Sequence, residues 1–347
     1  MDTQQLIRPI RSGPALLGAF ASALTLCNPL AGQNPVVRDS AGVRIVENPA
    51  RMRAPVTFRL GTTPVLDFGG PDESKPDNEF AANQGYLRGV RLSDNGLAAI
   101  DVVRVQYFDA RGKRVRIAGR SGSGPEEFLY LTSVCRTRGD TIMVSDSRNG
   151  RLGILDQNGA IVRTVKQSEL GSPPFDGCFD DGTVLLAHYA PMAPGAIRST
   201  RLTRVRLDGS VVNTIGDFSF APFESVTQSE PAVIASGQRV YIGDPRFSEI
   251  RVYSADGKLT SIIRSADPPV RITDAQREER MRSSIPRDVS ATEVTARMAR
   301  MRSLPRPANW PAYRRVYVDP RGTLGFRITT SRSPHRTAGP RSMPMAG

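Results

Sequence analysis

Three aspartates stand where short apolar runs end, and aspartate is a residue type that binds calcium. They are Asp101, Asp146 and Asp244. A calcium loop gathers several carboxylate, amide and carbonyl oxygens within about a dozen residues, whereas each of these aspartates stands alone in its segment. A single aspartate at a turn more often accepts hydrogen bonds from nearby backbone N–H groups. The pattern therefore favours a structural role, with calcium binding as the less favoured alternative.

Residues 119–128 read GRSGSGPEEF, a glycine spacing that could form a loop around a phosphate. The lysine and the serine or threonine that complete a phosphate-binding loop are missing, and no helical pattern follows. Glu126 and Glu127 could act as general acid and base only if both side chains reached one site, but adjacent residues of a strand point to opposite faces. We therefore predict a turn between two repeated units, without catalytic residues.

Histidine and cysteine are scarce in the chain. His188 and His335 are its two histidines, so neither a zinc site built from histidines nor a histidine-dependent lyase is predicted. His188 stands near the position that holds aspartate in other units, which favours a structural role. Cys135 and Cys178 occupy matching places in adjacent units, where a disulfide and two separate buried thiols are both compatible with the sequence. No catalytic, cofactor-binding or metal-binding residue is assigned.

These residues are positioned by a repeat that recurs along residues 86–263. Each of its four copies has an apolar strand, a turn with glycine, a second strand, a short polar link, a third strand that ends in a turn, and a fourth strand. Gly96, Gly139 and Gly182 of the first turn are spaced 43 residues apart. The later turn has glycine at Gly112, Gly159, Gly209 and Gly257. Four strands per unit and a period in the forties predict an all-β fold of the β-propeller type.

The remaining segments predict additions to this ring. Thr273 with Gln276, and Ser290 with Glu293, have the spacing of capping boxes, which predicts a helical insertion within 273–304. A fifth unit begins at 312 and stops after 328. Short apolar runs are predicted to supply strands for another blade at 42–46, 56–60 and 64–68. The sequence thus predicts a propeller domain over 36–328 with about six four-stranded blades, the last of them incomplete.

Both ends of the chain differ in composition from the repeats. Arg8 and Arg11 precede the apolar run 15–26, so residues 1–32 are predicted to be a secretory signal, and the mature chain to be periplasmic or extracellular. Cleavage after Ala23 and cleavage near Ala31 both remain open. Lipid attachment at Cys27 is the less favoured alternative. Residues 329–347 lack acidic side chains and are rich in Ser, Pro, Arg and Gly, which predicts a disordered tail.

Several motifs together resemble a known family. They are residues 119–128, the aspartates that end strands, the Asp-Gly hairpins, the opening 39–48, and a Leu-Pro-x-Pro-x-x-Trp-Pro entry to the last unit at 304–311. Because of these motifs, residues 38–328 resemble the NHL-type six-bladed propellers, in particular the exported bacterial six-bladed β-propeller family of uncharacterised proteins. The resemblance implies blades that stack radially around a channel. The chain departs from the pattern after Phe326, where the closing strands of the last blade are expected.

Three functional hypotheses follow. The leading one is a non-enzymatic binding or scaffold module of the cell envelope, which binds a protein, peptide or glycan as a monomer and has no membrane-spanning segment in the mature chain. The alternatives are a calcium-dependent propeller hydrolase resembling lactonases or esterases, and a truncated propeller without a function of its own. The net charge of +13 comes mostly from arginines spread along the whole chain, so nucleic acid is not a predicted partner.

Overall fold

The structure is a computed structural model that describes residues 35–50, 88–171, 175–190, 198–220, 231–304, 307–318, 322, 324–327 and 341–343. The predicted signal segment 1–32 and the predicted strands at 56–60 and 64–68 lie outside the described residues. The described chain consists mainly of antiparallel β-sheets. No helix in these ranges is both long and apolar enough to cross a membrane.

The strands follow the repeat found in the sequence. An N-terminal hairpin contains β1 (Val36–Ser40) and β2 (Val43–Asn48). The first four-stranded sheet contains β3 (Arg88–Arg91), β4 (Leu97–Ile100), β5 (Val105–Phe108) and β6 (Arg114–Ala118). Two short strands come next, β7 (Arg120–Ser121) and β8 (Glu127–Phe128). The second sheet contains β9 (Leu131–Arg136), β10 (Ile142–Asp146), β11 (Arg151–Leu155) and β12 (Ile161–Lys166).

Three further sheets complete the described part. The third contains β13 (Phe175–Cys178), β14 (Val184–Tyr189), β15 (Arg198–Val205) and β16 (Val211–Phe220). The fourth contains β17 (Ala232–Ser236), β18 (Arg239–Gly243), β19 (Glu249–Ser254) and β20 (Leu259–Ser265). The last contains β21 (Arg315–Val318), β22 (Leu324–Arg327) and β23 (Arg341–Met343).

The sheets are arranged as the blades of a propeller. Within the first four, each strand pairs antiparallel with the next along the chain. The first strands of successive sheets, β3, β9, β13, β17 and β21, lie beside one another in that order. A separate apolar cluster fills the space between each pair of neighbouring sheets. Ile100 and Ile142, for example, share the cluster between the first two. This radial stacking confirms the predicted β-propeller arrangement, with four complete blades among the described residues.

The N-terminal hairpin does not form a blade of its own, so this part of the prediction is wrong. Strand β2 pairs in parallel with β20, from Arg44 opposite Ser261 to Asn48 opposite Ser265. The fourth blade thereby gains two strands, with β1 outermost. The apolar run at 42–46 indicates a strand correctly, but it carries no information about which exposed edge the strand covers. An unpaired edge of a sheet accepts any strand that can reach its backbone groups.

The last sheet includes residues from the predicted disordered tail. Strand β23 pairs antiparallel with β22, with Leu324 opposite Met343. These three residues differ from the prediction for 329–347, and the rest of that segment lies outside the described residues. Backbone pairing explains the difference, because a sheet edge offers hydrogen bonds to a strand whatever its side chains are.

The predicted helical insertion is confirmed. Helix α1 (Asp274–Ser283) begins with a complete capping box, in which the Thr273 hydroxyl accepts from the Gln276 amide and the Thr273 amide donates to Gln276. Helix α2 (Ala291–Ser303) has half of one, since the Ser290 hydroxyl accepts from the amide of Glu293. The Glu293 carboxylate instead binds Arg297, one turn later. Buried Met281 and Met298 pack between the two helices.

Candidate functional site

The antiparallel pairing gives the propeller two different ends. We call the end with the turns between first and second strands the turn face, and the end with the turns between second and third strands the linker face. Each first strand starts at the linker face, as Leu131 opposite Asp146 shows in the second blade. The helical insertion returns to this face, where the amide of Ala312 donates to the carbonyl of Pro245 at 2.8 Å.

Hydrogen bonds between blades join the turns of the turn face near the axis. Ser93 of the first blade donates its amide to the carboxylate of Asp140 in the second at 3.1 Å. Arg138 donates to the carbonyl of Asp180 in the third blade at 3.1 Å, and Asp180 donates to the carbonyl of Gly237 in the fourth at 3.0 Å. Polar groups used in this way hold neighbouring blades together at the turn face.

The strand-ending aspartates lie on the linker face, and hydrogen bonds show their structural role. Asp101 accepts from the amides of Val103 and Arg104. Asp146 is fully buried and accepts from the amide of Tyr130 at 3.0 Å. Asp244 accepts from the amide of Arg246 at 2.9 Å. The prediction that these carboxylates bind turn amides is therefore confirmed. Within the described ranges, no three His, Cys, Asp or Glu side chains gather as metal ligands would.

The glycine-rich loop 119–128 is a structural link whose groups bind one another. The amide of Gly124 donates to the Glu127 carboxylate at 2.8 Å, and Arg120 donates to the same carboxylate at 3.0 Å. These contacts, the Gly124 amide first, lower the pKa of Glu127. Phe128, next in the chain, is fully buried. Glu126 is exposed, whereas Glu127 is held inside the loop. The structure therefore confirms the predicted turn and does not bring the two glutamates together for acid–base chemistry.

The loop provides a first test of the fold. Gly119 has a φ of +83°, and an added Cβ would lie 2.5 Å from the ring of Phe128. Gly119→Ala should lower the free energy of unfolding by about 2 to 4 kcal/mol, because strain and a clash add. The matched control is Gly139→Ala, where φ is +74° and no atom of the described residues lies within 4 Å of the added Cβ. The Gly139→Ala control should lower the free energy of unfolding by about 1 kcal/mol. If urea unfolding showed the same loss of unfolding free energy for both variants, the packing of Phe128 against Gly119 would be ruled out.

His188 has a hydrogen-bonding partner within its own blade. Its Nε2 lies 2.8 Å from the hydroxyl of Thr203 on the adjacent strand β15. This contact agrees with the structural role predicted for it. His335 lies outside the described residues.

The two candidate cysteines form a disulfide. Cys135 on β9 and Cys178 on β13 have Cα atoms 5.9 Å apart and are joined through their sulfurs. Both residues are buried in the apolar cluster between the second and third blades. Of the two alternatives that the sequence left open, the structure thus selects the covalent link between blades.

Asp176 is a candidate site residue that the sequence analysis did not identify. It lies on β13, the first strand of the third blade, where the pairing with β14 is irregular between Phe175 and Cys178. Its Oδ2 atom is buried and accepts no hydrogen bond from any residue that the structure describes. Burial raises the pKa of Asp176 to about 7, against the opposing effect of the Arg88 guanidinium. No signal for this site is present in the sequence, because Asp-Gly at 176–177 resembles the many Asp-Gly turns in the chain.

Asp176 and Arg88 define what we call the channel site. Arg88 begins β3 in the first blade, and the whole second blade separates the two strands along the ring. Both residues belong to first strands of blades, and the charge of Arg88 opposes the effect of burial on the pKa of Asp176. On the neighbouring strands, Arg136 of β9 binds Asp140 at 2.9 Å, and His188 of β14 contacts the hydroxyl of Thr203. Strand β17 has no charged residue.

The channel site has the chemistry of a binding site. A desolvated carboxyl group attracts a hydrogen-bond donor or a cation, and an exposed guanidinium attracts an anion. Both residues lie toward the linker end of their strands, since Arg88 pairs with Ile100 and Phe175 with Leu186. β-Bulges are known to re-aim side chains next to functional sites. The irregularity in β13 gives Asp176 such a position.

Comparison with known proteins yields distant similarity in structure. No family model matches the chain, and no curated protein matches it. A protein from Bacteroides fragilis described as exported is 14% identical, with 69% of this chain and 65% of that chain covered at a TM-score of 0.44. Virginiamycin B lyase from Staphylococcus aureus is 9% identical, with 55% and 59% covered at a TM-score of 0.31. Apo AztD from Citrobacter koseri is 12% identical, with 68% and 61% covered at a TM-score of 0.34.

The chain spans less than two thirds of the length of each of these three proteins. Similarity at this level carries no argument about activity. The propeller arrangement rests instead on strand pairing and on the apolar clusters between blades.

Proposed function

We propose that this protein is an exported, NHL-type β-propeller that binds a protein, peptide or glycan of the cell envelope without catalysing a reaction. The single observation behind this proposal is at the channel site, where the Oδ2 atom of Asp176 is buried on a first strand and has no hydrogen-bond partner among the described residues. The aspartates and the glycine-rich loop considered above as sites for chemistry have structural partners instead. A lone carboxyl group can hold a ligand, but hydrolysis would need a nucleophile with a base, or a metal.

The proposal includes six blades and a location outside the cytoplasm. The predicted strands at 56–60 and 64–68 would supply a further blade between the last sheet and the first. A structural disulfide between buried cysteines fits an oxidising compartment, as does the predicted signal at 1–32. The mature chain is proposed to act as a monomer.

Thermal unfolding of the purified mature chain tests this proposal. Envelope peptides and glycans are added singly, with calcium chloride as a separate arm. A ligand at one hundred times its Kd should stabilise the fold by about 2.7 kcal/mol, which raises Tm by about 5 °C or more. We expect a shift with one ligand class and none with calcium alone. A shift that requires calcium, together with hydrolysis of lactones or esters, would show that the protein is an enzyme.

A further inference from the structure

Asparagine stands directly before glycine at three places in the chain, namely at Asn95, Asn149 and Asn158. In such a pair the backbone nitrogen of the glycine can attack the side-chain amide carbon of the asparagine, because glycine has no Cβ that blocks the approach. The attack is accelerated by a base on the attacking nitrogen and by a cation on the amide oxygen, where negative charge develops. The three pairs differ in whether the fold supplies these two groups.

Asn95 has both groups within hydrogen-bonding distance. It is exposed in the turn between β3 and β4, with a φ of +70°. The amide of Gly96, which is the attacking group, donates to the carboxylate of Asp94 at 2.8 Å. The Arg91 guanidinium donates to the Oδ1 atom of Asn95 at 2.7 Å. Arg91 is held beside the turn because it pairs with Leu97 across the hairpin.

The other two pairs have different surroundings. The amide of Gly159 donates to a backbone carbonyl, that of Asp156, at 2.9 Å. Asn149 donates from its Nδ2 atom to Asp146 at 2.6 Å, and its Oδ1 atom accepts from the neutral hydroxyl of Ser123 at 2.9 Å. In the part of the chain that the structure describes, neither pair combines a carboxylate on the attacking amide with a cation on the amide oxygen.

We infer that Asn95 is a modification site at which the protein catalyses the deamidation of its own side chain. The nitrogen of Gly96 forms a bond to Cγ of Asn95, its proton passes to the Asp94 carboxylate, and Arg91 stabilises the negative charge on Oδ1. The Cγ–Nδ2 bond then breaks, and the proton returns from Asp94 to the leaving nitrogen, which departs as ammonia. The product is a cyclic succinimide, which water opens to aspartate or isoaspartate.

The modification would act on a contact between the first two blades. The turn that holds Asn95 also contains Ser93, whose amide donates to Asp140 of the second blade at 3.1 Å. Isoaspartate lengthens the backbone of this turn by a carbon atom, and either product adds a carboxylate next to Asp94. The inference concerns the turn face and does not depend on the proposed binding function, which rests on the channel site.

Peptide mapping by mass spectrometry tests the inference on the folded protein incubated at neutral pH. Asn95 should deamidate at least about tenfold faster than Asn149 and Asn158. In the urea-unfolded chain the three sites should react at similar rates, because the contacts that distinguish them are lost. Equal rates at the three sites of the folded protein would overturn the inference. A lead of Asn95 that is just as large in urea would also overturn it, because the fold would then not be its cause.

Two variants test the groups assigned to the reaction. Asp94→Asn leaves a side chain that can accept a hydrogen bond but not the proton, and Arg91→Gln removes the cation. Each should slow deamidation at Asn95 by about tenfold or more. The matched control is Arg111→Gln, which removes an exposed arginine from the later turn of the same blade and should leave the rate unchanged. An unchanged rate in the Asp94→Asn or the Arg91→Gln variant, with a fold shown by circular dichroism to be retained, would contradict the inference.

Discussion

Replacing Cys135 and Cys178 together with alanine should lower the free energy of unfolding by about 4 kcal/mol. The disulfide closes a loop between residues 43 positions apart, and this restricts the unfolded chain far more than the folded one. It also joins the first strands of two neighbouring blades inside a shared apolar cluster. The measurement is urea unfolding of the double variant and the wild type, each with and without a thiol reductant.

The reductant supplies the control for this prediction. Unfolding in reductant should bring the wild type close to the double variant, whose own midpoint should not change. The folded wild type should resist reduction, because Cys135 is 8% exposed and Cys178 only 2%. Identical midpoints for the two proteins without reductant would mean that the link does not stabilise the ring.

The repeat predicted the blades well because it reflects the backbone conformations that residues in turns prefer locally. Glycines such as Gly112, Gly159 and Gly257 adopt the positive φ that their turns require. The 43-residue step of the first turn also separates Cys135 from Cys178, which places the cysteines at matching positions of adjacent blades. Sequence spacing could not decide between a disulfide and free thiols, since the distance between neighbouring first strands depends on how the sheets stack.

Information about partners across the fold was missing from the sequence. Ile45 and Val46 mark β2 as a buried strand, yet they cannot show that it pairs with β20. Asp176 could not be recognised as a site residue from the sequence for a similar reason. An Asp-Gly pair predicts a turn from local preferences, whereas here it lies in an irregular stretch of a first strand, where burial raises the pKa of Asp176.

Asp176→Asn should make the protein more stable near neutral pH, although it removes a residue of the channel site. The carboxyl group has an ordinary pKa of 3.8, and burial raises this to about 7 in the folded protein. Between these values the folded state holds a proton that the unfolded chain has released. The contribution of Asp176 to stability is therefore full below pH 3.8 and is lost as the pH rises to 7. The total loss is about 4 kcal/mol.

The difference between variant and wild type isolates this group from the other carboxylates, several of which have lowered pKa values and act in the opposite direction. At pH 8 the Asp176→Asn variant should exceed the wild type by up to about 4 kcal/mol, and near pH 4 the two should agree closely. The matched control is Asp208→Asn, which alters an exposed aspartate in a turn and should follow the wild type from pH 5 to 8 in urea unfolding. Parallel curves for the wild type and the Asp176→Asn variant would contradict the burial of this carboxyl group. A difference that grows with pH would show that the fold carries a destabilising group on its inner strands, as expected where a ligand supplies the missing partner.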